Sequence, residues 1–124
     1  MCRHLIYDGA CYRLEGAVLP DESCEICDFL DGQSESDRQK LRVLFERLGD
    51  AGRISNREKF KKVRGDIWAF KSFQIRIFCF FTKDRRVILL YGLKKKTDKY
   101  KPREIDRADQ LRDIWLASRA NPRS

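Results

Sequence analysis

Three apolar runs set close together constrain this chain most. Ile67-Trp68-Ala69-Phe70, Gln74 to Phe81 and Val87-Ile88-Leu89-Leu90-Tyr91 are rich in β-branched and aromatic residues, and each is strand-sized. Turn signals separate them: Arg64-Gly65-Asp66 before the first, Ser72-Phe73 before the second, Lys83-Asp84-Arg85 before the third. The pattern predicts an antiparallel three-stranded meander. Within its second run, period two sets Arg76 on the face opposite Ile75 and Ile77.

Helical signals flank the meander. Asp21 or Ser23 can cap a short helix carrying Ile26, Phe29 and Leu30, which stops at Gly32. Ser34 or Ser36 can cap a longer one, with Leu41, Leu44, Phe45 and Leu48 at helical spacing. Ser34 with Asp37 makes a capping-box-like start, and Gly49 and Gly52 are expected to end the helix. Pro102 suits the first position of a last helix, with Ile105, Ala108, Leu111 and Trp115 on one side and charges on the other. Residues 3–8 and 11–15, either side of Asp8-Gly9, form a strand or a short hairpin, and Ala120 to Ser124 a frayed end. The expected class is α+β: an N-terminal strand, two helices, the meander joining a mixed sheet, and a C-terminal helix. A chain of 124 residues reads as one domain, 1–124.

Charge narrows the partners. Residues 1–58 are net −4, residues 59–103 net +12 with only Asp66, Asp84 and Asp98 as acids, and residues 104–124 neutral. A segment so basic attracts polyanions, nucleic acid above all, although an acidic protein would satisfy the same field. No apolar run is long enough for a membrane span and no secretory signal opens the chain, so a cytoplasmic protein is expected. Five cysteines, an odd number, fit reduced thiols. Cys24 and Cys27 make a C-x-x-C, but Cys2, His4 and Cys11 do not complete a standard zinc spacing, and buried thiols are the simpler reading.

If the polyanion is RNA, cleavage by the 2′-hydroxyl needs that oxygen deprotonated, the phosphate stabilised and the 5′-oxygen protonated. His4 is the sole histidine, so a two-histidine mechanism is excluded. The meander also lacks a carboxylate cluster for two metals. Lys, Arg and Tyr remain. Arg76 can hold phosphate bidentately, the crowded Lys94, Lys95, Lys96, Lys99 and Lys101 can lower one another's proton affinity, and Tyr91 or Tyr100 can move a proton or stack on a base. Plainer roles stand beside these. Lys94–Lys96 can be a solvated strand exit, Arg76 can pair with an acid of the terminal helix, and Tyr91 can be half core.

From about Leu41 to Trp115 the chain resembles the phage-derived HigB-like branch of the RelE/ParE toxin superfamily. The resemblance lies in Gly65-Asp66-Ile67-Trp68-Ala69-Phe70-Lys71, in Arg76-Ile77-Phe78, and in Tyr91-Gly92-Leu93-Lys94-Lys95-Lys96-Thr97 after Val87-Ile88-Leu89-Leu90. Pro102, Glu104-Ile105 and Ala108 continue it into the last helix. It implies a RelE-like fold and the toxin of a type II toxin–antitoxin pair, a ribosome-dependent mRNA endoribonuclease using neither metal nor cofactor. By position it implies Arg76, Lys95, Lys96 and Tyr100 as catalytic and Lys71 as a basic residue beside Arg76 that binds RNA; Tyr91, Lys94, Lys99 and Lys101, candidates by charge and residue type, are expected to bind RNA with it. The implied partners are mRNA, the ribosome and a cognate antitoxin of helix-turn-helix type, held as a hetero-oligomer.

The chain also departs from the family. Ala69 stands where Glu is usual, Lys71 where Arg is, and Tyr91 where His is common. Lysine lacks the guanidinium fork. These departures keep open a second reading, a non-catalytic interaction protein: a ParE-like gyrase poison, or a degenerate toxin that only binds antitoxin or RNA.

Overall fold

The alternation in the apolar runs resolves into a sheet whose two faces are covered by different helices. A computed structural model describes residues 4–120. Expectations placed on Cys2, Arg3 and residues 121–124 lie outside the described residues. The elements are β1 (Leu5–Asp8), β2 (Arg13–Gly16), α1 (Glu25–Asp31), α2 (Glu35–Ala51), β3 (Phe60–Arg64), β4 (Ile67–Ser72), β5 (Ile75–Phe81), β6 (Arg86–Lys94) and α3 (Pro102–Ala120). The sheet order is β1-β2-β6-β5-β4-β3. Among the described strands only β2 and β6 run parallel, so the sheet is mixed and the class α+β, consistent with the RelE-like arrangement.

Two cores follow from the pleat. Ile75, Ile77 and Cys79 of β5, with Val87 and Leu89 of β6, pack against α1 and α2 through Ile26, Leu41, Leu44, Phe45 and Leu48. On the other face Phe78 and Phe80, with Ile67, Ala69 and Ile88, pack against Ala108, Leu111 and Trp115 of α3. Salt bridges from the sheet fix the charged side of α3. Arg64 reaches Asp106 and Asp109 at 2.6 and 2.7 Å, and Arg112 reaches Asp66 at 3.1 Å.

Three local expectations are corrected, and the open choice at the N-terminus is decided. The meander has four strands, because β3 joins its edge. Phe60-Lys61-Lys62-Val63-Arg64 is too charged to show a clear strand pattern, yet lysines suit an edge strand by discouraging further pairing. The N-terminal segment is the hairpin rather than a lone strand. Cys24, not Asp21 or Ser23, is the N-cap of α1; the Asp21 carboxylate accepts from the Ser23 N–H and hydroxyl instead. Gly49 lies inside α2 rather than ending it, because the Tyr7 ring packs where a side chain would go. Ser34 caps α2 by accepting from the Asp37 N–H at 3.1 Å, and Gly52, with φ 81°, closes it.

One irregularity sets the direction of the strand that leads to the lysines. Tyr91 pairs with Phe78 and Leu89 with Cys79, so Leu90 is an extra residue in β6. Unbroken alternation from Val87 and Leu89 would turn residue 91 toward α1 and α2. The bulge instead turns Tyr91 toward α3 and Gly92 toward α1. A Cβ on Gly92 would stand 2.5 Å from the Phe29 ring. Gly92→Ala is therefore expected to destabilise the protein by about 1–3 kcal/mol in urea unfolding, with partial recovery in the Gly92→Ala/Phe29→Leu double variant.

Candidate functional site

The α3 end of the sheet leaves uncovered the stretch where β4 and β5 meet their turn. Lys71 is the cross-strand neighbour of Arg76, and Lys61 of Ala69, so these residues share the face that carries Phe78. The loop from β6 to α3 folds back over them, bringing Asp98 and Tyr100. A cavity of about 60 Å³ results, lined by Lys61, Ala69, Lys71, Arg76, Asp98 and Tyr100, with Arg57 and Glu58 from the turn before β3.

Arg76 is the centre of this arrangement and is only 2% exposed. Its Nη1 donates to the carbonyls of Phe73 at 2.6 Å and Ile75 at 3.2 Å, and its Nη2 to that of Thr97 at 3.1 Å. Its Nε is buried with no hydrogen-bond partner among the described residues. The Asp98 carboxylate lies 3.7 Å from Nη2 and is hydrogen-bonded by the Lys71 ammonium. That bond and the two cations hold the Asp98 carboxyl below its ordinary value. Arg76 therefore pairs with an acid of the loop, not of the terminal helix.

Tyr100 packs edge-on against Phe78 at 5.3 Å. Burial raises its phenol, and the Arg76 guanidinium pulls the other way without cancelling the effect. A phenol so placed holds its proton near neutral pH and can donate it.

The remaining sequence candidates divide. Lys95 turns inward: its Nζ meets Glu104 at 2.6 Å and the Lys99 carbonyl at 2.5 Å, and stands 5.0 Å from the Tyr100 ring centroid. Glu104 also accepts from the Lys101 N–H at 2.8 Å, so it closes the start of α3 as the return half of a capping box. Burial pushes the Glu104 carboxyl up, but the bonds from Lys95 and the Lys101 backbone prevail and hold it low. Tyr91 stacks on Phe78 and donates to the Glu104 carbonyl at 2.6 Å, outside the cavity. Lys94, Lys96, Lys99 and Lys101 are exposed around the strand exit. The structure thus gathers Lys71, Arg76 and Tyr100 in one cavity, with Lys95 behind Tyr100.

Sequence reasoning passed over Lys61, Arg57, Glu58 and Asp98 as site residues. Only Asp98 carried a signal, as one of three acids in the basic block. Cys24 and Cys27 have thiols 2.8 Å apart, but they pack around Gly16, and Cys24 belongs to the α1 and α2 face. Among the described residues no group of three or more His, Cys, Asp or Glu side chains is placed to hold a metal. Among them, too, no helix is long and apolar enough to cross a membrane.

Fold and site together define an α+β protein with a buried arginine and a lysine converging on an anion at one end of its sheet. The chain belongs to the family of phage-derived Gp49-like proteins (DUF891), whose sequence profile matches residues 28–113. This is a family of toxins associated with toxin–antitoxin systems. No curated protein matches the chain. The matched span includes every residue of the cavity and leaves out β1, β2, Cys24 and Cys27.

Two outcomes follow. Lys95→Ala strands the Glu104 carboxylate and is expected to cost about 3 kcal/mol, while Lys96→Ala stays within about 0.5 kcal/mol, both read by urea unfolding. Burial, reinforced by Glu104, pushes the Tyr91 phenol from 10.0 up to about 12. The unfolded chain loses that proton first, so the stabilisation is complete below pH 10 and lost as pH rises toward 12. Melting temperature should fall across that window, and Tyr91→Phe should reduce the slope. Tyr7, raised to about 12 chiefly by its hydrogen bond to Asp50, keeps part of it.

Proposed function

We propose that the chain is the toxin of a type II toxin–antitoxin pair, of the HigB-like RelE branch, and that it arrests translation by cutting mRNA on the ribosome without a metal. The observation that carries this reading is the convergence of Arg76 and Lys71 on the Asp98 carboxylate. A carboxylate there is an internal stand-in for a phosphate. It sits within the chain's most basic segment, whose field draws in RNA.

The chemistry then divides among the cavity residues. The scissile phosphate displaces Asp98, because two anions cannot share the same pair of cations. Arg76 stabilises the crowded phosphate and Lys71 adds a point charge. Tyr100, which keeps its proton, protonates the leaving 5′-oxygen, a step worth about 10² to 10⁴ in rate. Glu58, which lines the same cavity, is the carboxylate that takes the 2′-hydroxyl proton. Lys95 positions Tyr100 and the start of α3 rather than exchanging a proton. Lys94, Lys96, Lys99 and Lys101 hold the RNA backbone. A helix-turn-helix antitoxin neutralises the toxin in the cytoplasm by covering this basic end.

A second reading, binding without cleavage, is favoured by the burial of Arg76 behind Asp98 and by the Lys95–Glu104 pair, which leaves few proton carriers in the cavity. Controlled expression separates the two. Mapped transcript 5′ ends should reveal cuts soon after induction, with no DNA-damage response. Lys71→Ala and Arg76→Lys should each reduce cutting at least tenfold, and Asp98→Asn should increase RNA affinity by unblocking the cations. Intact transcripts with DNA-damage signalling would instead assign the chain to gyrase poisoning.

A further inference from the structure

The turn between β4 and β5 carries a feature that neither the core nor the cavity uses. Phe73 sits there at φ 55°, in the left-handed region where a bulky side chain is strained and glycine is at ease. The residue is 69% exposed, more than any other large hydrophobic residue described. So the turn holds an unfavourable backbone conformation and leaves an aromatic ring largely in water, outside both apolar cores.

What surrounds the ring is cationic. The Lys40 ammonium lies 4.4 Å from its centroid and that of Lys59 at 6.0 Å. The Lys71 N–H bonds the Lys59 carbonyl at 2.8 Å, which keeps Lys59 beside the turn. Arg47 joins them in lining a groove of about 260 Å³ against Val43 and Ser72. That is below the roughly 300 Å³ of a typical small-molecule pocket, and suits one planar ring. Lysine is depleted from the centres of protein–protein interfaces, whereas aromatic rings among cations are how single-stranded nucleic acid is held. The turn is also joined to the cavity, since the Phe73 carbonyl accepts from Arg76 at 2.6 Å.

We propose that Phe73 is a stacking platform for an unpaired RNA base, with Lys40 and Lys59 taking the phosphates that flank it. This rests on the reading of the Arg76 cavity as an RNA site and adds a second contact, around the end of the sheet, that would set how the strand is threaded. One residue's ring receives the base while its carbonyl steadies the arginine.

The test compares a single-stranded RNA oligonucleotide with the same oligonucleotide carrying abasic positions, titrated against the purified chain. Phe73→Gly removes the ring and relieves the backbone, so this variant should melt no lower than the parent. It should bind the base-containing RNA roughly five- to a hundredfold more weakly while its affinity for the abasic RNA stays the same. Phe73→Trp should retain binding. Lys40→Gln/Lys59→Gln should weaken both RNAs alike and reduce the salt dependence. Equal loss on both RNAs in Phe73→Gly, or no loss on either, overturns the platform. So does unchanged RNA binding combined with loss of a protein partner that co-purifies with the parent. A parent that binds neither RNA overturns it as well, whereas transcript cutting that depends on Lys71 and Arg76 would still stand.

Discussion

A charged guanidinium with 2% exposure governs the functional end of this molecule. Burying Arg76 is tolerable only if its donors find acceptors, and three of those acceptors are backbone carbonyls. Those bonds tie the β4–β5 turn to the loop after β6. The loop then carries Asp98 onto Lys71 and Tyr100 onto Phe78. The cavity and the turn that carries Phe73 are thus both tied to one buried charge.

The bulge at Leu90 is the second determinant. By inverting the facing of β6 it sends Gly92 under Phe29 and Tyr91 onto Phe78, so α1 and α3 both seat on the same strand. It also sets the facing of the lysines that follow. Lys95 ends against Glu104 and closes α3, while its neighbours Lys94 and Lys96 stay in water. Three adjacent lysines, identical in composition, therefore have different roles because each meets a different neighbour.

Much of this was legible in the residues. Helical spacing from Leu41 to Leu48 and from Ile105 to Trp115 marked two helices, and period two placed Arg76 opposite Ile75 and Ile77. Each of these depends on neighbours within a turn or a strand. β3 was hidden because an edge strand has little need of apolar residues, and Gly49 was misassigned because its small size answers to Tyr7, far away in sequence. The site was partly legible for the same reason. Arg76, Lys71 and Tyr100 stood out as basic or phenolic residues in the right block, but nothing local tied Asp98 to Lys71 or Glu58 to the cavity.

The sequence by itself determined the elements, the faces of the strands and the concentration of positive charge between residues 59 and 103, because these follow from local periodicity and from counting. Only the tertiary structure decided which cations act together. Lys95 was withdrawn into an ion pair, Lys71 and Arg76 were joined through Asp98, and Phe73 was left outside among lysines. Those outcomes depend on distances between side chains far apart in the chain, and it is the packing of sheet, loop and helix that sets such distances.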